Sequence, residues 1–219
     1  MHYDKSLYID SLSYSNKGHR ILDSIFLNVP EKSIVGLFGR NGSGKSTLLN
    51  VIFGNKKPDF AFMRCNGVKF NKGYKTNNIS YMPQESLFPH NIKIKNIISF
   101  FKEINENIYT NEIIRNNLNN YLSNLSGGES KLIEILIILN VRKSYCLLDE
   151  PFSKLSPLSI SIVKEQILEA KKSMGILISD HNYRELSSLS EKNYLLSNKS
   201  LIEVNDIMDL IDYNYLPNK

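Results

Sequence analysis

The chain has no tryptophan, only two cysteines, and alanine at just two positions, Ala61 and Ala170. Cys65 and Cys146 stand far apart, and neither has the spacing of a metal ligand. Zinc-ribbon and disulfide-stapled scaffolds are therefore excluded, and two buried free thiols in a reducing compartment are expected. The scarcity of alanine beside abundant Asn, Lys and Ile reads as the mark of an AT-rich genome rather than of a function. Long apolar runs are also missing. "LIEILIILNV", residues 132–141, is broken by Glu134 and falls well short of the ~20 residues that cross a bilayer, so any spans must come from another chain. The opening "MHYDKSLYID" has no basic region followed by an apolar stretch, so no secretory leader is expected. The formal charge of +5 is mild and spread along the chain. It includes no Lys/Arg block of the kind that forms a nucleic-acid arm, and no nucleic-acid partner is expected.

What is present is ample for a packed interior: 219 residues, 42% of them apolar, with no internal repeat and no low-complexity linker. "LYIDSLSYS", "ILDSIFLNVP" and "SIVGLFG" read as strands. A helix is expected from near Lys45 through "STLLNVIFG", ended by Gly54. "MRCNGVKF" and "NISYMPQ" read as further strands. Between Pro89 and Asn140 the texture turns helical and Asn-rich, as in a separate lobe. "YCLLDE" and "GILISD" are short buried strands flanking the helix "SPLSISIVKEQILEAKK", and a strand pair with a short helix closes the chain. Strands alternating with helices predict an α/β fold around a mostly parallel sheet.

Three stretches carry chemistry. "GRNGSGKS", Gly39 to Ser46, fits the phosphate-loop pattern between a strand and a helix. Glycines let the backbone curl so that its N–H groups face a polyphosphate, and the helix adds its positive end. Arg40, Asn41, Gly42, Ser43 and Gly44 build the loop. Lys45 is placed to reach the β- and γ-phosphates, Ser46 to put a hydroxyl on Mg²⁺, and Thr47 to add a donor near the α-phosphate. "YCLLDE" sets Asp149 and Glu150 at the carboxyl end of an apolar strand, where ligands gather in open α/β sheets. Asp149 is the candidate Mg²⁺ ligand, and Glu150 the candidate to polarise a water. "LSGGES" is a capping box, with Ser126 and Glu129 closing a helix start. Capping does not account for Gly127 and Gly128 in the first turn, where each weakens the helix. Bare glycines there leave N–H groups open to a second anion.

With these motifs in order, the chain resembles the nucleotide-binding subunit of an ATP-binding cassette (ABC) ATPase over nearly its whole length. The family's glutamine loop matches "YMPQ" at Gln84, its switch histidine matches His181 in "ISDHN", and its adenine-stacking aromatic matches Tyr14, about two dozen residues before the phosphate loop. A half-exposed strand tyrosine reads the same way at position 14. The resemblance implies a P-loop NTPase core with an N-terminal antiparallel β-subdomain. It also implies an inserted helical subdomain, about residues 89–140, that carries the signature motif within a single 1–219 domain. It implies ATP and Mg²⁺ as ligands, with Gln84 contacting the metal or the attacking water and His181 orienting the water held by Glu150. It further implies two copies paired head to tail, so that Ser126, Gly127 and Gly128 meet the γ-phosphate of the partner's ATP.

Transmembrane permease subunits would be further partners, placing the chain in the cytoplasm on the inner face of the cytoplasmic membrane. Leu87, Phe88 and Ile92 suit either the surface that grips them or ordinary packing. "LLDEPF", "ILISDHNYRE" and "DYNYLP" are most similar to ATPases of lipopolysaccharide export and branched-chain amino-acid import. Within the family a non-transport ATPase, such as an iron–sulfur assembly subunit, and a degenerate ATP-binding scaffold are the competing readings.

The chain departs from the family pattern twice. Ser156 stands where an Asp is usual; followed by Pro157 it still caps a helix, but it removes an acid from the face toward the partner cassette. After "LSGGE" the usual basic run is missing, and Lys131 is the one cation before Arg142. Hydrolysis is expected to survive with altered communication between sites.

Overall fold

A computed structural model describes residues 5–206, 209, 210 and 215. Its N-terminal part is a four-stranded antiparallel sheet, ordered β2-β1-β4-β5, built from β1 (Ser6–Asn16), β2 (His19–Pro30), β4 (Phe60–Cys65) and β5 (Val68–Phe70). Its hairpins close on two-residue turns with positive φ at both positions, Lys17-Gly18 and Asn66-Gly67. That twist suits adjacent antiparallel strands, and Asn-Gly is the favoured sequence for it. Alternation buries Leu7 and Ile9 on β1. A register shift between Ile9 and Leu12, with Ser11 at φ 52°, returns Leu12 to the same inner side.

The second sheet has six strands in the order β10-β9-β3-β8-β7-β6. Its members are β3 (Ile34–Phe38), β6 (Ile79–Met82), β7 (Tyr145–Asp149), β8 (Gly175–Ser179), β9 (Lys192–Ser197) and β10 (Ser200–Val204). All neighbours are parallel except the β9–β10 hairpin at the edge. Every residue of β3, β6, β7 and β8 is buried, as expected for parallel strands covered on both faces. Odd and even residues serve two separate cores. Val35, Leu37, Leu147 and Leu177 pack toward α1 (Lys45–Phe53) and the antiparallel sheet. Phe38, Cys146, Leu148, Ile176 and Ile178 pack into the other cluster, with α4 (Gly127–Asn140) and α5 (Pro157–Lys171).

The interval between β6 and β7 contains α2 (Ile94–Ser99), α3 (Glu112–Asn117) and α4, with only isolated bridges, such as Lys93 to Tyr121, among its described residues. The first helix of this interval, α2, is short and stops at Ser99. Residues 130–139 of α4 are buried all round, which makes it a central helix rather than a surface one. A short α6 (Tyr183–Ser187) follows β8 and has no counterpart in the sequence reading. The expected C-terminal strand pair is β9 and β10, while the short helix expected after it falls largely outside the described residues. Because β3, β6, β7 and β8 run parallel, the loops leaving their carboxyl ends gather on one side of the molecule. These loops bear Gln84, Glu150 and His181, and the one after β3 leads into Lys45 at the start of α1.

Candidate functional site

The loop after β3 turns sharply into α1. Gly44, at φ 110°, is the residue before the first helical turn. A β-carbon there would meet Leu22 Cδ2 at 3.2 Å and Ile21 Cγ2 at 3.3 Å, so both backbone strain and close packing call for glycine. Lys45 is buried, and its Nζ donates to Gly39 O at 2.7 Å and Arg40 O at 3.3 Å. Burial pushes its pKa below the usual lysine value; Glu150, Asp149 and Asp180 pull it back up. The ammonium thus rests on carbonyl dipoles of its own loop, close to three acids. A cleft of 360 Å³ opens beside it, lined by Asn41, Gly42, Gly44, Lys45, Ser46 and Thr47 on one side. Tyr14, Asn16, Ile21 and Lys56, with Gln84 and Glu150, complete its walls. Arg40 and Ser43 face a second cleft on the other side of the loop, beside Leu196 and Tyr215.

At the end of β7, Asp149 is 1% exposed. Ser179 Oγ donates to its Oδ1 at 2.6 Å, and the Tyr81 hydroxyl reaches its Oδ2 at 3.4 Å. Asn50 Nδ2 donates to both Tyr81 Oη (3.0 Å) and Ser46 O (2.7 Å), tying α1 to this acid. Glu150 sits at φ 50°, a left-handed conformation that costs a non-glycine residue about 1–3 kcal/mol and is met mainly at functional sites. Its N–H donates to Ser179 O at 2.7 Å. Gln84 Nε2 donates to Glu150 Oε2 at 2.8 Å, and His181 Nδ1 lies 3.7 Å from the same oxygen. The His181 side chain is 53% exposed. The preceding Asp180 is fully buried and accepts from Phe152 N and Asn182 N, so it holds both neighbouring loops. One carboxylate oxygen is thus met by an amide and approached by an imidazole, next to a lysine cradle. That arrangement can orient a water toward a bound phosphate.

Ser126, Gly127 and Gly128 do not line this cleft. The expected capping box is present: Ser126 Oγ accepts from Glu129 N at 3.3 Å, and Glu129 Oε2 accepts from Ser126 N at 2.9 Å. A β-carbon on Gly127 would meet nothing within 4 Å, whereas one on Gly128 would lie 3.1 Å from Lys154 O. The first turn of α4 therefore has one open face and one face pressed on the loop after β7. Ser156 caps α5, its Oγ accepting from Ser159 N at 3.2 Å with Pro157 in the first turn.

Several residues of the site went unread in the sequence. Tyr81, Asn50 and Ser179 brace Asp149, and Lys56 sets its ammonium 5.5 Å from the centroid of the Tyr14 ring. Each is an ordinary polar residue in a strand or helix, without a motif of its own. On α4 the sequence shows Glu134 only as a break in an aliphatic run and Lys131 only as a lone cation after "LSGGE".

The family model described as ABC transporter matches residues 22–153. The chain is 28% identical over 213 residues to the lipopolysaccharide export system ATP-binding protein LptB of Haemophilus influenzae, covering 90% of this chain and 88% of that protein. It is 30% identical over 210 residues to an uncharacterized ABC transporter ATP-binding protein of Rhizobium meliloti, covering 89% and 78%. Among solved structures, an ATP-binding subunit of an ABC transporter superposes with a TM-score of 0.84 at 22% identity, covering 96% of this chain and 94% of that one.

Proposed function

The chain belongs to the ABC transporter family, as the ATP-binding, ATP-hydrolysing kind of subunit, and on that premise we propose how its own residues carry out hydrolysis. In this reading the polyphosphate lies along the loop from Gly39 to Ser46, met by its backbone N–H groups and by Thr47. Lys45 exchanges the carbonyls of Gly39 and Arg40 for phosphate oxygens, which suits an ammonium already held at a cost by burial. Tyr14 offers its ring to the adenine. Glu150 polarises the attacking water; Gln84, hydrogen-bonded to its Oε2, and His181, placed between that oxygen (3.7 Å) and Asp180 Oδ1 (3.6 Å), fix its direction. The observation that carries the proposal is this convergence on Glu150 beside the Lys45 cleft.

Mg²⁺ fits the donors present. The Ser46 hydroxyl, the Asp149 carboxylate and the Gln84 amide oxygen are hard oxygen ligands. Among the described residues no group of three or more His, Cys, Asp or Glu side chains forms a metal cage of its own. A metal there would rely on phosphate oxygens, as Mg²⁺ at nucleotide sites does. When bound it would neutralise charge on the transferring phosphoryl group.

Ser126, Gly127 and Gly128 lie outside the cleft, and the first turn of α4 has an open face. We assign them to a partner's ATP, in a head-to-tail dimer, with residues of about 89–140 acting as the helical subdomain that presents them. No helix of the described residues is long and apolar enough to cross a membrane. The spans are therefore assigned to separate permease subunits, with this chain peripheral on the cytoplasmic side. The chain is equally similar, at 28% identity, to an export-system protein and to a probable sulfate/thiosulfate import protein of Chlorella vulgaris. Overall identity thus favours neither direction of transport.

The test is Glu150→Gln. Phosphate release by the purified chain should fall by at least ~10²-fold, the typical contribution of a positioned base, with ATP binding retained. Turnover equal to wild type would remove Glu150 from the mechanism.

A further inference from the structure

Two charged side chains of α4 are buried outside the nucleotide cleft: Lys131, 8% exposed, and Glu134, 1% exposed. Three residues apart on a helix, they are close enough to pair. Among the described residues no ion pair joins them, and each instead reaches a different loop. Lys131 Nζ donates to Glu150 O at 2.6 Å and to Ser153 Oγ at 2.7 Å. Ser153 Oγ in turn donates to the same Glu150 carbonyl at 3.1 Å. Two donors therefore hold the peptide group of the one residue whose left-handed backbone aims the candidate base.

Glu134 points its carboxylate at the loop after β6. It accepts from Ser86 Oγ at 2.5 Å, Leu87 N at 3.2 Å and Phe88 N at 3.3 Å, residues that closely follow Gln84. Burying an ion is costly even with opposite charge nearby, as Asp180, Glu150 and Asp149 are to Lys131, and apolar residues of similar volume would fill such places more cheaply. The neighbours of these two on α4, Leu132, Ile133, Ile135 and Leu136, do just that. Charge at 131 and 134 therefore has a use other than packing, and its partners say what it is: backbone groups and serine hydroxyls of two loops that must meet.

We propose that Lys131 and Glu134 are positioning residues for hydrolysis, making α4 a brace between the loop bearing Glu150 and the loop bearing Gln84. The inference rests on the ATPase reading above. The brace sets the 2.8 Å contact between Gln84 Nε2 and Glu150 Oε2 from behind, without touching nucleotide. Since the same helix begins with Ser126, Gly127 and Gly128, a displacement of that first turn reaches both loops through one body.

The test measures kcat, KM for ATP and thermal stability of the full chain for wild type, Glu150→Gln, Lys131→Met, Glu134→Gln and the Lys131/Glu134 double variant. Each single brace variant should lose at least about tenfold in kcat with KM within about twofold, because the phosphate cradle is untouched. The double variant should lose much less than the product of the two single losses, as expected for parts of one unit. If either variant does not fold, Lys131→Arg and Glu134→Asp, which keep charge but move it, should show the same kcat loss at unchanged KM. Wild-type kcat in folded brace variants, a rise in KM alone, or losses that multiply would overturn the brace. Equal turnover in wild type and Glu150→Gln would instead overturn the assignment of Glu150 as the water-polarising residue, on which the brace rests.

Discussion

Replacing Ser156 separates what this position does for the fold from what its missing acid does between cassettes. Ser156 holds extended φ/ψ before α5 and accepts from Ser159 N at 3.2 Å, with Ser159 Oγ a further 3.0 Å neighbour. Ser156→Ala removes that acceptor, which costs about 1 kcal/mol at a helix N-cap. For a chain of this size 1 kcal/mol is about 2–4 °C in Tm. The helix survives, because Val163, Ile167 and Ala170 anchor it in the core. Ser156→Asp supplies an equivalent acceptor, and its charge at the positive end of α5 adds roughly 0.3–1 kcal/mol. Its Tm should match or slightly exceed that of the wild type. In steady-state phosphate release over a range of ATP concentrations, Ser156→Ala should leave turnover within about twofold, since Ser156 is outside the phosphate cleft. Ser156→Asp should change rate or cooperativity modestly, by adding an acid on the face that the head-to-tail proposal turns toward the partner cassette. A fall in Tm of more than about 3 °C in Ser156→Asp would refute the cap, on the same conversion. Abolished hydrolysis in that variant would refute the assignment of this loop to communication.

Tyr14→Ala should weaken ATP binding roughly 5- to 150-fold with kcat little changed, since stacking of a base on an aromatic is worth about 1–3 kcal/mol; unchanged affinity for a fluorescent ATP analogue would make Tyr14 a strand residue only. Burial is the largest influence on Lys45 and depresses its pKa below the usual 10.5, so above the folded value the unfolded chain binds more protons and stability rises with pH until 10.5 is passed. Urea titrations from pH 8 upward should show wild type gaining on Lys45→Met across that alkaline window, and a constant difference would contradict a buried, charged Lys45.

How far the sequence reveals this site follows from where each residue finds its partners. Gly39 to Ser46 and the Ser126–Glu129 cap are local: their hydrogen bonds close within a few residues, so composition and spacing determine them. The parallel strands were legible because burial on both faces leaves continuous apolar runs. The Asn66-Gly67 hairpin followed from turn chemistry that was visible but unused, and the short α6 from a segment too brief to show a helical period.

Lys131 and Glu134 were opaque for a different reason. Lys131 finds its carbonyl 19 residues on, and Glu134 finds its donors 46 to 48 residues back. In sequence each is a polar interruption of an aliphatic helix, the ordinary sign of a solvated edge. Burial all round α4 inverts that sign, because a charge with no water must have a protein partner. The absence of the family's usual basic run after "LSGGE" then takes on meaning. Lys131 is the only cation in α4, so the hold on Glu150 O from this helix rests on a single side chain. Its replacement should therefore be felt at Glu150 without compensation from a neighbouring cation on the same helix.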